Sequence, residues 1–353
     1  MASIELGLFD IQQVDPLSTE DDATVLRNRL DDLALADELG LAIAFTAERH
    51  YLSTYRSQST SVWLGAATQR TRTLRLGALG YTLPIVPPLR LAEEVAQLDQ
   101  LSGGRIEVGL GLGHRTEELV ANGVDPADRV AIFQQRLAIM EGLWAGGAVT
   151  YESPHTVIND AFIHPKPIQQ PHPPIWFAGT EANAAMWAGQ HGMNLAIGFG
   201  KSDQIFGATA SFRQGVAMRK MRGAESDTVR RGQVALMRQV YLGETDATVE
   251  TEMTSDLMRL DELNLSATES NRADRKRESS DRYRRLIDEE IFLAGSVETV
   301  AKAIIDARNK LGINVFLANI YAAGIDRERI HRTLRTLAGP VQDAVESLTT
   351  RLT

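Results

Sequence analysis

The chain has 353 residues and a formal charge of −9, from 37 Lys and Arg against 46 Asp and Glu, and it contains no cysteine. The lack of cysteine excludes a disulfide scaffold, thiolate metal sites and cysteine nucleophiles.

The net negative charge disfavours nucleic acid and anionic membrane surfaces as partners. No run of about 18 apolar residues is present to span a bilayer. The first sixteen residues, MASIELGLFDIQQVDP, carry acidic side chains and lack the basic region and apolar stretch of a signal peptide. We therefore expect a cytoplasmic protein that acts on a small molecule.

Eight short apolar runs, rich in β-branched residues, recur along the chain. Most are continuously apolar, as strands buried on both faces of a parallel sheet should be. They occupy residues 4–9, 42–46, 74–79, 106–110, 175–178, 194–198, 233–241 and 314–320. Segments with the period of a helix lie between them, at 22–39, 57–69, 89–101, 131–144, 181–190, 201–219 and 297–310. This alternation predicts βαβ units with right-handed crossovers.

Two architectures are compatible with such units, an open doubly wound sheet and a closed barrel. Eight strand candidates with helices between them favour the closed form, and barrels of this kind run past 250 residues as one unit. We predict that residues 1–353 form a single α/β domain, a (β/α)8 TIM barrel with insertions.

Two segments interrupt the alternation. Residues 149–174 hold six of the twelve prolines, and we expect an extended, hairpin-like excursion before strand five. Residues 243–290, after strand seven, are dense in charge and predict a polar helix with a mobile loop. Such a loop at the carboxyl end of a barrel strand is either a lid over the site or a solvated surface insertion.

Two pairs of basic residues follow predicted strands, at the end of a barrel where active sites are built. Arg49 and His50 come after strand two, and His114 and Arg115 come after strand four. Both a structural and a catalytic role stay open for the histidines. His155, His164 and His172, in the proline-rich segment before strand five, have no metal-ligand spacing, and we predict no metal.

Two glycine-containing segments suggest a nucleotide or phosphate site. Residues 109–113, GLGLG, have their third glycine one residue early for a dinucleotide fingerprint, and backbone crowding explains them equally well. Gly179 and Thr180 end strand five directly before a helix, where free N–H groups could cradle a phosphate. Thr180 could instead be a simple N-cap. Neither a G-x-S-x-G elbow nor a P-loop is present.

Several segments, taken together in their order and spacing, resemble the bacterial luciferase-like flavin monooxygenases. The resemblance runs over nearly the whole chain, and none of its segments specifies a substrate. They are 47–51 (AERHY), 80–84 (GYTLP), 88–94 (PLRLAEE), 98–105 (LDQLSGGR), 109–113 (GLGLG), 165–169 (PKPIQ) and 173–176 (PPIW).

The resemblance implies FMN bound at the carboxyl rim of the barrel. Gly179, Thr180 and Asn183 match the flavin phosphate site of the family. Arg115 is inferred as a substitute, because the phosphate arginine of luciferase aligns with Leu112. A non-prolyl cis peptide is also implied within 79–81. The cofactor-binding residues expected on this basis are Leu79, Gly80, Tyr81, Gly111, Leu112, Arg115, Gly179, Thr180 and Asn183.

The chain departs from luciferase at its catalytic motif, which is Glu-His-His with the first histidine catalytic. Arg49 stands at that position and His50 at the next, so the base of the light-emitting aldehyde reaction is missing. His50 or His114 could handle protons in a related oxygenation. The expected catalytic residues are therefore His50, Arg49 and His114.

The resemblance implies a two-component monooxygenase that receives reduced FMN from a separate NAD(P)H flavin reductase and oxidises a small organic substrate with oxygen. One alternative keeps the fold but binds 8-hydroxy-5-deazaflavin and transfers hydride. Another is a non-catalytic flavin-binding subunit. We expect an apolar barrel mouth that includes Phe9, Tyr81, Leu112 and Phe199. We also expect a homodimer in which the second helix buries Trp63 against a symmetry mate.

Overall fold

The computed structural model describes residues 4–14, 18–198, 200, 202–221, 232–264, 272–321 and 325–351. Eight parallel strands form a closed barrel, because each pairs with the next and the last pairs with the first. The barrel strands are β1 (Glu5–Asp10), β2 (Ile43–Thr46), β3 (Arg75–Thr82), β4 (Ile106–Gly111), β7 (Ile175–Ala178), β8 (Asn194–Ile197), β9 (Val234–Leu242) and β11 (Val315–Asn319). The predicted TIM barrel is confirmed.

Helices cover the outside of the barrel. The α10 helix shows how the sequence sets their ends: the Ser296 side chain accepts a hydrogen bond from the N–H of Thr299, and Gly312 ends the helix at φ 61°. A π-helical turn, Leu337–Val341, joins the last two helices. The helices are α1 (Asp22–Glu38), α2 (Thr60–Arg70), α3 (Pro88–Ser102), α4 (Thr116–Ala121), α5 (Arg129–Ala145), α6 (Ala182–Gln190), α7 (Ser202–Met221), α8 (Asp246–Asn264), α9 (Arg272–Asp288), α10 (Val297–Leu311), α11 (Arg327–Thr336) and α12 (Gln342–Arg351).

The barrel interior is filled by side chains from alternate positions of the strands, including Phe45, Leu79, Trp176 and Leu317. At its amino-terminal end, the Trp176 indole N–H and the Arg75 guanidinium both donate to the buried Glu107 carboxylate. These partners offset the desolvation of the charge. The amino-terminal end is therefore filled by side chains, and a cavity lies toward the carboxyl ends of the strands.

The excursion before β7 contains an antiparallel hairpin of β5 (Val149–Ser153) and β6 (Thr156–Ala161). The following loop has cis peptides at His164–Pro165 and Gln170–Pro171. Lys166 within this loop donates to the carbonyl of Leu143 at 2.8 Å, which ties the excursion to α5.

The segment after β9 is more helical than the sequence suggested. Besides α8 it contains a second helix, α9, and the strand β10 (Phe292–Gly295), which pairs with the end of β9. Tyr283 of α9 packs with Val249, Met253 and Leu257 of α8, which accounts for a helix in so charged a sequence. The part of the predicted loop at 265–271 lies outside the described residues.

Trp63 does not occupy the surface that the predicted dimer requires. Its side chain is 9% exposed within the single chain and belongs to the main core. A partner copy therefore cannot be what buries it, and this detail of the prediction is wrong. The neighbouring Val62 is 74% exposed, and dimerisation through α2 stays a prediction.

Candidate active site

A cavity of about 500 Å³ opens at the carboxyl ends of the barrel strands. This volume lies within the range of about 300–1,000 Å³ that small-molecule sites occupy. Its lining comes from most of the barrel strands and from the loops that follow them: Phe9, Arg49, Leu79, Gly80, Thr82, Gly111, Leu112, Gly113, His114, Arg129, Phe177, Ala178, Gly179, Thr180, Glu181, Ala184, Ala196, Gly198 and Met237.

The peptide bond between Leu79 and Gly80 is cis, as predicted, and both residues line the cavity. The register between β3 and β4 shifts at this point. A Cβ added to Gly80 would lie 2.8 Å from the backbone of Gly109, and one on Gly109 would lie 2.0 Å from the carbonyl oxygen of Ala78. Backbone crowding therefore explains Gly109 in the GLGLG segment without any dinucleotide.

Eight of the residues expected in the site meet around this cavity: Arg49, His114, Leu79, Gly80, Gly111, Leu112, Gly179 and Thr180. The other four, His50, Tyr81, Arg115 and Asn183, are absent from its lining. The Tyr81 side chain is 3% exposed and shares a hydrogen bond of 3.0 Å with the Ser61 hydroxyl. Asn183 is exposed on α6, and its neighbours Glu181 and Ala184 reach the cavity instead.

His50 and Arg115 belong to a polar network beside the cavity. Glu48 accepts a hydrogen bond from the backbone N–H of Thr82 at 3.0 Å, and its Oε1 lies 3.5 Å from Nε2 of His50. Arg115 donates to the carbonyl of His50 at 3.1 Å and to Glu118 at 3.4 Å. The network joins the loops after β2 and β4, so Arg115 is directed at protein groups rather than into the cavity.

The two histidines differ in electrostatic setting. The hydrogen bond to Glu48 raises the pKa of His50 above its ordinary value, outweighing the effect of burial. Partial burial, helped by the positive charge of Arg49, lowers the pKa of His114. His114 is therefore neutral at pH 7 and able to accept a proton, whereas His50 keeps its proton to higher pH than an isolated histidine.

A second polar end of the cavity forms where β7 meets α6. The N-cap residue of α6 is Glu181, and its side chain makes no capping hydrogen bond. Thr180 precedes the cap, so the alternative that Thr180 is itself the N-cap is wrong. The first N–H groups of α6 are thus oriented as in anion-binding helix termini. Arg129, the first residue of α5, brings a guanidinium to the same cavity.

Arg129 and Met237 were missed by the sequence reasoning. Arg129 is the first residue of α5 and lies far along the chain from the end of β4 at Gly111. The one signal that could have identified it is its position at the start of a helix on the carboxyl side of the barrel. The Met237 side chain is one of those on β9 that face the barrel interior, where it packs with the other interior residues. Phe9, Leu79, Leu112, Phe177 and Met237 together form an apolar wall. Phe199, also expected there, lies outside the described residues.

The described residues offer neither a metal site nor a membrane-spanning helix. They hold no group of three or more histidine or acidic side chains arranged to bind a metal ion. Nor do they contain a helix long and apolar enough to cross a bilayer.

Two curated relatives illustrate what the chain is similar to. An uncharacterised protein of Sinorhizobium fredii is 37% identical over 217 residues, 60% of this chain and 61% of the relative. The oxygenase component of a flavin-dependent trigonelline monooxygenase from Acinetobacter baylyi is 27% identical over 169 residues, 46% of each chain. The alignments thus span between about half and two thirds of these relatives.

Solved structures share the fold over nearly their whole length. The oxygenating constituent of 3,6-diketocamphane monooxygenase from Pseudomonas putida, in complex with FMN, has a TM-score of 0.79 at 16% identity, covering 97% of this chain and 98% of that one. An F420-dependent secondary alcohol dehydrogenase has a TM-score of 0.72 at 18% identity, covering 98% and 99%. At these identities the likeness shows the fold alone.

The family model described as luciferase-like monooxygenase matches residues 4–314. The match covers the first seven strands of the barrel and ends directly before β11. This chain belongs to the luciferase-like monooxygenase family.

Proposed function

We propose that this protein is the oxygenase component of a two-component flavin monooxygenase. It takes reduced FMN from a separate NAD(P)H flavin reductase and oxidises a small organic substrate with molecular oxygen. The observation that carries the proposal is the cavity itself, which combines apolar side chains around Leu79 and Gly80 with the uncapped start of α6 beside Gly179 and Thr180.

The residues present fit FMN. The uncapped first turn of α6 and the Arg129 guanidinium supply N–H donors and positive charge for a phosphate. Leu79, Gly80, Gly111 and Leu112 line the cavity with apolar side chains and backbone, which would contact the flavin ring. Glu181 adds one carboxylate to the cavity lining, and Arg129 adds one positive charge. Bound reduced FMN would supply the electrons that activate oxygen.

The chain itself excludes water and handles protons. Phe9, Leu112, Phe177 and Met237 leave few polar groups to hold water beside the reacting atoms. His114 lines the cavity in its neutral form and is the group we assign to accept or return a proton there. A guanidinium keeps its proton at neutral pH, so Arg49 acts through its charge. His50 acts as a positioning residue that holds the loop after β2 against Glu48 and Glu118.

Two alternatives carry specific support. An F420-dependent dehydrogenase shares the fold, so the same cavity could hold a deazaflavin and transfer hydride without oxygen. A non-catalytic flavin-binding role is supported by Arg49 at the position of the catalytic histidine of luciferase. We favour the monooxygenase, because the relative from Acinetobacter is named an oxygenase component.

The test compares cofactors on the purified protein. We expect tight binding of reduced FMN, and oxygen consumption coupled to a product carrying ¹⁸O from ¹⁸O₂ with at least one member of a broad substrate panel. Binding of 8-hydroxy-5-deazaflavin in preference to FMN, with hydride transfer under anaerobic conditions, would select the first alternative. If FMN binds but no substrate gives a product, and His114→Ala leaves the FMN affinity unchanged, the second alternative is selected.

A further inference from the structure

Arg49 brings a positive charge to the cavity wall away from the phosphate end. In the barrel order, β2 and β7 are separated by β3 and β4, so Arg49 and Gly179 lie on different sides of the opening. The backbone N–H of Arg49 donates to the carbonyl of Ser57 at 3.2 Å, and its Nη1 lies 3.4 Å from the carbonyl oxygen of Glu48. Within the described chain no carboxylate forms an ion pair with this guanidinium.

The acidic groups around Arg49 are committed to other partners. The Glu48 carboxylate accepts from Thr82 and faces His50. The Glu118 carboxylate accepts from the backbone N–H of His50 at 3.3 Å and from Arg115. Glu181, the one acid in the cavity lining, follows Thr180 at the phosphate end. The charge of Arg49 is therefore left uncompensated by neighbouring acids.

This charge acts inside the cavity. It contributes, after partial burial, to the lowered pKa of His114, and both residues line the cavity. A guanidinium presents paired N–H donors that match a carboxylate, and it gives up its hydration more readily than an ammonium does. A partly desolvated cation without an acidic partner favours a ligand that brings a negative charge.

Resting on the proposed function, we propose that Arg49 binds an anionic group of the substrate, so that the substrate is an organic anion, such as a carboxylate or phenolate, rather than an uncharged molecule. The apolar wall then receives the remainder of the substrate. Arg49 thereby sets specificity, and His114 beside it is left free to handle protons.

The same chemistry could come from the reduced flavin, which is itself an anion at neutral pH. An anionic substrate and an anionic reduced flavin predict different effects of changing Arg49. A substrate-binding Arg49 discriminates between organic anions and their neutral analogues, whereas a flavin-binding Arg49 affects the affinity for reduced FMN. The experiment therefore measures both.

The probes are matched pairs, benzoate with benzamide and hexanoate with hexanamide, titrated calorimetrically at low ionic strength. Oxidised FMN, or inorganic phosphate, is present to occupy the α6 end. We expect the wild-type chain to bind a carboxylate at least about tenfold more tightly than its amide. Arg49→Gln should abolish this preference and Arg49→Lys should retain part of it. Arg90→Gln removes an exposed arginine paired with Glu94, and it should behave as wild type.

Two results would overturn the inference: no preference in the wild-type chain, or an unchanged preference in Arg49→Gln. If Arg49→Gln keeps the anion preference but loses affinity for reduced FMN, Arg49 binds the flavin instead. The phosphate arm needs no flavin, so an anion preference there survives even if FMN is not the cofactor. Conversely, FMN binding without an anion preference contradicts this inference and leaves the proposed function standing.

Discussion

His50 and Glu48 form the electrostatic contact that most clearly distinguishes the two histidines near the cavity. Because the pKa of His50 is raised in the folded protein by its hydrogen bond to Glu48, the protonated pair stabilises the fold fully below the ordinary histidine value of 6.5. This contribution is lost as the pH rises through the folded-state pKa. The pair thus strengthens the loop after β2 at mildly acidic pH.

We predict that Glu48→Gln lowers the pKa of His50, because the amide can still accept from Thr82 but no longer carries the charge that favours protonated histidine. The measurement is an NMR titration of the His50 ring. Glu94→Gln, which alters an exposed pair on α3, is the matched control. An unchanged His50 titration in Glu48→Gln would show that the pair is not formed in solution.

At the residue scale, the sequence predicted which loops meet but not where each side chain is directed. Leu79 and Gly80 were found because the family motif marks them, and both line the cavity. Tyr81 is directed to Ser61 instead, because the register of β3 shifts between Ala78 and Tyr81 and Tyr81 no longer faces the same side as Leu79. Arg115 donates to the carbonyl of His50 and to the Glu118 carboxylate. The sequence could not predict these contacts, because they form only when the loops after β2 and β4 are folded against each other.

The helix α8 is held to the barrel by an ionic network in addition to the apolar contacts of Val249, Met253 and Leu257. Tyr241 at the end of β9 and Arg332 of α11 both donate to Glu252, at 2.7 and 2.8 Å. Arg329 contacts both oxygens of Asp256, at 2.9 and 3.1 Å. The insertion that follows β9 is thus fixed to the barrel at α8, and any lid movement would have to occur beyond these contacts.

We predict that Asp256→Ala lowers the free energy of unfolding by about 2 kcal/mol, because it leaves a largely buried guanidinium without its bidentate partner. The side chains of Asp256 and Arg329 are 12% and 17% exposed. Urea unfolding followed by circular dichroism measures the change. Asp281→Ala on α9 removes an exposed acid with a contact of 4.0 Å to Arg284 and should change stability little. Equal losses in the two variants would contradict the anchoring role.

Elements with a strong apolar period were predictable and α9 was not. The eight barrel strands are buried on both faces, so each appears in the sequence as a short apolar run. In α9 the apolar residues Tyr283, Leu286 and Ile287 are few among charged ones. They are enough to form a helix only because α8 provides a surface to cover them.

At the scale of the whole molecule, the barrel separates stability from chemistry. Its amino-terminal end is sealed by Arg75, Glu107 and Trp176, and its carboxyl end holds the cavity. The fold could be predicted because eight strands alternating with helices have few closed solutions. The substrate could not, because the cavity is assembled from loops whose side chains converge only in three dimensions.

The central claim is that this cavity binds FMN with its phosphate at the α6 end. The most direct measurement compares the affinities of FMN and riboflavin by fluorescence titration. We predict that FMN binds at least about tenfold more tightly than riboflavin, and that Arg129→Gln removes most of this difference while Arg90→Gln keeps it. Equal affinities in the wild-type chain, or a difference untouched by Arg129→Gln, would contradict the account.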